Sequence, residues 1–176
     1  MSGNSIKNML VSAVTAANVS IFDLASSNPE LHGMGTTVVA AVLSDQMIRV
    51  VHVGDSRAYK ISPNGLIQMT RDHSVVQELV ETGKLTPNEA KAHPRKNIIT
   101  RALGVDETVD IDFCEDRMEP EDVVLLCTDG LTNYLETDEI FQIARSGRYY
   151  ESAQQMVDLA NQHGGGDNIT VVAITY

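Results

Sequence analysis

Ile6, Met9, Leu10, Ala13, Val14, Ala17, Ile21 and Leu24 recur at three- and four-residue intervals, which predicts an amphipathic helix over residues 5 to about 28. Ser26-Ser27-Asn28-Pro29 closes it, because proline biases the preceding residue away from helical geometry. The texture then changes to β-branched runs at 36–43 and 48–53, with Ser44-Asp45-Gln46 as the hairpin turn. Segments 57–62 and 66–70 predict a second hairpin, turning through Pro63-Asn64-Gly65.

From 75 to 102 the pattern is polar and helical. A helix over 75–80 stops at Gly83, and Thr86-Pro87-Asn88-Glu89 carries an N-cap, a proline in the first turn and a capping-box acid. This stretch reads as an excursion over a sheet. Strands return at 108–114 and 123–128, helices follow near 137–145 and 150–163, and a last strand covers 169–175. Clustered hairpins with grouped helices, rather than strict alternation, point to an α+β fold with antiparallel sheets in one domain over 1–176.

Composition narrows the class. The 176 residues are 43% hydrophobic, too apolar for a disordered chain. With 24 acids against 13 bases the net charge is −11, which disfavours nucleic acid as a partner and suits either solubility or the gathering of cations. Cys114 and Cys127 lie in apolar strand-like runs without metal-ligand spacing and read as free thiols of a reducing compartment. The first residues lack the basic flank and apolar core of a signal peptide. No run approaches about 18 unbroken apolar residues, so the expectation is a cytoplasmic protein without a membrane span.

Three aspartates stand out by position. Asp55 follows the strand ending in Val53-Gly54, Asp129 follows the run 123–128 and precedes Gly130, and Asp167 sits between three glycines and the final strand. Carboxylates converging from separate strand ends supply the oxygen ligands that Mg²⁺ or Mn²⁺ prefers. Taken singly, each is equally the aspartate of an ordinary turn. Of the histidines, His52 alternates into a strand and reads as packed, and His163 suits a helix C-terminus. Gly33-Met34-Gly35 lacks the third glycine of a dinucleotide fingerprint and marks a close chain approach.

The ordered set is more specific than its parts. Gly33-Met34-Gly35-Thr36-Thr37, Val53-Gly54-Asp55-Ser56-Arg57-Ala58-Tyr59 and Thr70-Arg71-Asp72-His73-Ser74 come first. Thr100-Arg101-Ala102-Leu103-Gly104, Cys127-Thr128-Asp129-Gly130-Leu131 and Gly166-Asp167-Asn168-Ile169-Thr170-Val171-Val172 follow. This series resembles the bacterial branch of the metal-dependent protein serine/threonine phosphatases, type 2C, over nearly the whole chain. The resemblance implies two antiparallel sheets packed as a sandwich and flanked by helices, with a mobile flap at about 74–97. It implies hydrolysis of phosphoserine and phosphothreonine in proteins by metal-activated water, with two or three Mn²⁺ or Mg²⁺ ions in the intact family. Asp129 and Asp167 match metal-binding aspartates, and Asp55 matches a ligand of a weaker third metal shared with Asp129. Gly130, Asn168 and Arg57 would surround and hold these carboxylates. Asp72 and His73 match a motif at the flap base.

The pattern also departs from the family. Its phosphate-binding arginine, an acidic strand residue and the Asp-Gly-Met-Gly-Gly segment, whose aspartate bridges the main metals, have no match here; His32 precedes Gly33. The expectation is an N-terminally truncated domain, impaired as a phosphatase, without those catalytic residues. It would act on phosphorylated proteins, pair with a cognate kinase, and self-associate through uncovered strand edges. The alternative is a catalytically inactive phosphatase-like module that binds a protein partner.

Overall fold

Strand β2 (Met47–Val53) is buried on both faces from residue 48 to 53, which fixes the layering of the molecule. The computed structural model describes residues 3–175. Successive β2 side chains point to opposite faces, so Val51 and Val53 meet helix α1 (Gly3–Ser27) while Ile48 and Val50 meet the second sheet. On α1, Ile6, Leu10 and Val14 form the contact stripe. The helix is long and apolar enough to cross a membrane by length and composition, and it lays this stripe on the sheet.

β2 lies between β1 (Val38–Ser44) and β5 (Asp112–Arg117), antiparallel to both. The turn from β1 to β2 places Asp45 and Gln46 at φ of 52° and 62°, the left-handed pair that matches hairpin twist. The second sheet has the order β4 (Gly65–Gln68), β3 (Arg57–Ser62), β6 (Val123–Cys127), β7 (Val171–Thr175), again antiparallel throughout. Ile48, Val50, Ala58, Met118 and Val124 fill the space between the sheets. On the far side, Tyr59, Ile61, Leu125 and Cys127 pack against Leu131, Leu135, Ile140 and Met156. These come from and around α4 (Asp129–Thr132), α5 (Thr137–Ala144) and α6 (Tyr149–Gln162). The layers therefore run helix, sheet, sheet, helices, the sandwich expected from the sequence.

Both short helices of the excursion form as predicted. Ser74 caps α2 (Val75–Glu81), and Thr86 with Glu89 closes a reciprocal capping box on α3 (Pro87–Lys91).

Several boundaries move. The strand expected at 108–114 is Asp112–Arg117, because β2 offers partners from His52 to Met47 and pairs them with 112–117. Val109 and Ile111 instead pack toward α1. Met9 and Leu24 of the predicted stripe are exposed, and buried Asn18 takes a place in it. Its side chain accepts from Gly104 N–H at 2.8 Å and donates to the carbonyls of Asp106 and Glu107, so the polar group is satisfied. Helix α4, a single turn, has no periodic signature at all.

Candidate functional site

The register of the second sheet brings the three aspartates together. Arg57 is paired with Cys127 and Cys127 with Val171, so one line across β3, β6 and β7 marks the same end of the sheet. Asp55 lies two residues before that line, Asp129 two after it, and Asp167 four before it. All three loops consequently emerge at one edge. Asp55 and Asp129 face a cavity of about 620 Å³ whose wall includes Arg57 at the start of β3, Asp72 in the loop after β4, and Lys91 and Lys96 on the 74–97 segment.

The electrostatics follow from this placement. Burial, then the charge of Asp129, raises the Asp55 carboxyl from 3.8 to about 6. Burial, then the charge of Asp167, likewise raises Asp129. Asp129 is thus the centre of the trio. It occupies the first turn of α4, where Asn133 Nδ2 donates to its Oδ2 at 3.3 Å. Asn133 was not anticipated, since the i,i+4 relation exists only once α4 is known.

The remaining predicted residues are distributed as follows. Gly130 lets α4 approach the 166–168 loop. Thr128 staples the same loops: Thr170 N–H donates to its Oγ1 at 3.0 Å and its own N–H donates to Thr170 O at 3.2 Å. Asn168 holds Asp167 through its backbone N–H, 2.7 Å from Oδ1. Arg57 lines the cavity with Asp55, and its direct partner is Asp72. Its guanidinium forks onto Asp72, with Nε 2.9 and 3.0 Å from the two oxygens and Nη2 2.6 Å from Oδ2, while Nη1 reaches the Tyr59 hydroxyl at 3.0 Å. It binds the flap-base carboxylate because that is the acid its planar fork can meet squarely.

His73 stands beside Asp72, and its ring stacks on that of His52 with centroids 4.7 Å apart. Gly54 N–H donates to His73 Nδ1 at 3.0 Å. The proton of the neutral ring is therefore on Nε2, 3.4 Å from Asp112 Oδ2. His52 Nε2 donates to the carbonyl of Arg71 at 2.8 Å. Its Nδ1 is the buried side-chain nitrogen left without a partner among the described residues. His52, His73 and Asp112 have ligand atoms within 4.8 Å of one another, a grouping the sequence did not suggest. Arg101 already supplies its cation, with Nη1 2.7 Å from Asp112 Oδ1 and 3.0 Å from His73 Nε2. A protonated Nε2 and a guanidinium in place make this cluster a poor seat for a metal. Burial, then Arg101, pushes His73 below its ordinary pKa and keeps it neutral.

Residues 2–169 match the family model described as protein phosphatase 2C. The chain is 41% identical over 175 residues to the serine/threonine phosphatase stp of Listeria welshimeri, covering 99% of this chain and 69% of that protein. Its structure superposes on the crystal structure of the serine/threonine phosphatase Stp1 from Staphylococcus aureus with a TM-score of 0.94 at 35% identity, covering 100% of this chain and 70% of the other. The catalytic domain of the serine/threonine protein phosphatase PstP, solved in complex with 2 manganese ions, gives a TM-score of 0.85 at 36% identity, with 93% and 68% covered.

Proposed function

Since the chain belongs to the protein phosphatase 2C family, and is by that membership a phosphoprotein phosphatase, we propose that Asp55, Asp129 and Asp167 hold divalent cations for hydrolysis of phosphoserine and phosphothreonine. The observation that carries this reading is the shared register line, which delivers three carboxylates to one sheet edge. Their chemistry fits the ion: hard oxygen donors, of which Asp55 and Asp129 are raised above the ordinary carboxylate range by burial and then by a neighbouring carboxylate's charge. The manganese complex of PstP supports Mn²⁺ as the probe. When bound, such ions acidify a water and neutralise charge on the phosphoryl group.

The chain's own residues do the rest. Asn133 orients Asp129, Thr128 keeps the Asp129 and Asp167 loops in register, and Asn168 N–H fixes Asp167. Lys96 lines the same cavity and presents positive charge to a phosphorylated segment entering under α2 and α3, beside Lys91, whose ammonium is paired with Glu136. Residues 74–97 act as the flap in this reading, in a cytoplasmic setting that suits the two free cysteines.

No segment of the 176 residues matches the bridging aspartate or the phosphate-binding arginine of the family. This chain by itself should therefore hold metal weakly and turn over slowly, because unneutralised carboxylates repel a phosphate dianion. Calorimetric titration with Mn²⁺, together with p-nitrophenyl phosphate hydrolysis, tests both parts. Heat that disappears in Asp129→Ala, with slow turnover, is expected. Full turnover typical of the family overturns the impairment. No binding at all would favour a phosphatase-like module that recognises a partner.

A further inference from the structure

We propose that Asp72 and His73 are positioning residues that set Asp55 by gripping the chain on both sides of it; the inference rests on the reading that Asp55 holds metal. His73 exchanges two hydrogen bonds with Gly54, the residue before Asp55: its backbone N–H donates to Gly54 O at 3.0 Å, and its Nδ1 accepts from Gly54 N–H at 3.0 Å. Asp72 receives the forked guanidinium of Arg57, two residues after Asp55. Gln68 adds a third donor to Asp72 at 3.1 Å. The Gly54-Asp55-Ser56-Arg57 loop is thus held at both ends by two consecutive residues of another segment.

The loop needs this restraint. Gly54 sits at φ +107°, where a side chain would be strained and would strike Thr37, so its conformation is imposed by its neighbours. His73 is itself pinned. It is 1% exposed, stacked on His52, and faces Asp112, which Arg101 holds. Immediately beyond it Ser74 caps α2, and Thr100 N–H donates to His73 O at 2.8 Å. The two roots of the 74–97 segment therefore meet at the residue that grips the Asp55 loop.

The variants His73→Asn and His73→Gln separate positioning from packing. The asparagine oxygen falls near the place of Nδ1 and can still accept from Gly54 N–H, whereas the glutamine oxygen falls near Nε2 and cannot. Both lose the imidazole stack, so a purely structural role would affect them alike. The measurements are Mn²⁺ titration of the 176-residue chain, followed by broadening of the Asp55 and Asp129 amide resonances, and hydrogen exchange at Gly54 without metal.

The expected result is Mn²⁺ affinity near wild type in His73→Asn and about tenfold weaker in His73→Gln, the effect of one lost hydrogen bond, with faster exchange at Gly54 in the latter. Equal behaviour of the two variants overturns the proposal while leaving the metal reading intact. Absence of broadening at Asp55 in the wild-type chain overturns the metal reading and this inference with it. Should neither variant fold, Asp72→Asn probes the other grip: several-fold weaker Mn²⁺ binding supports positioning, and unchanged binding refutes it.

Discussion

Gly130 and Asn168 approach so closely that a β-carbon on the glycine would overlap the carbonyl oxygen of the asparagine. Gly130 has ordinary helical geometry in α4, so intrinsic propensity alone makes Gly130→Ala stabilising. The contact reverses the sign, because backbone rather than a flexible side chain must give way. Urea denaturation should show a loss of about 1–3 kcal/mol, as for other overpacked sites. Mn²⁺ binding should weaken with it, since the same contact spaces Asp129 from Asp167.

Arg57 and Asp72 form a pair in which only the arginine retains appreciable exposure, with side chains 29% and 10% accessible. Lysine cannot reproduce the fork. Arg57→Lys should destabilise the chain by about 1–2 kcal/mol, and Arg57→Ala by about 3 kcal/mol by leaving a buried carboxylate to Gln68 alone. Chemical denaturation at neutral pH measures both, and equal stabilities for the two variants would contradict the assigned role of the fork.

Acidity offers a third check. Asp55 is raised from 3.8 to about 6, so between those values the folded, metal-free chain binds more protons than the unfolded chain. Stability in chelator should consequently fall as pH rises from about 4 through about 6. Divalent ions compete with that proton, so Mn²⁺ affinity should move the opposite way and strengthen over the same window. Asp55→Asn should flatten the first trend and diminish the second. Melting temperatures across pH, with and without Mn²⁺, read both.

Cys127 is 2% exposed and burial pushes its thiol up to about 12. Half-buried Cys114 is raised by burial and by the charges of Asp112 and Asp116. A disulfide reagent at pH 8 should leave Cys127 unmodified in the native chain and react slowly at Cys114, with both thiols titrating after unfolding. Prompt labelling of Cys127 would mean that the β6 core opens far more readily than its packing implies.

Local pattern carried most of the fold. The β-branched run at 48–53, the hairpin turn through Pro63-Asn64 and the Thr86 to Glu89 capping box each depend on residues near in sequence, and each formed where expected. The ordered motifs around Asp55, Asp129 and Asp167 were legible for the same reason, since each is a short stretch bordering one end of a strand. Strand β5 was displaced because its partner β2, not its own composition, chose residues 112–117. The direct partner of Arg57 was not legible, because a guanidinium takes whichever carboxylate the fold brings to its fork, and Asp72 arrives from fifteen residues away. Asn133, Asp112 and the His52 stack had no local signal whatever. Sequence alone determined which residues must turn, pair and bury. Tertiary structure decided which charges share one space, because Coulombic and hydrogen-bond partners are fixed by distance through space rather than along the chain.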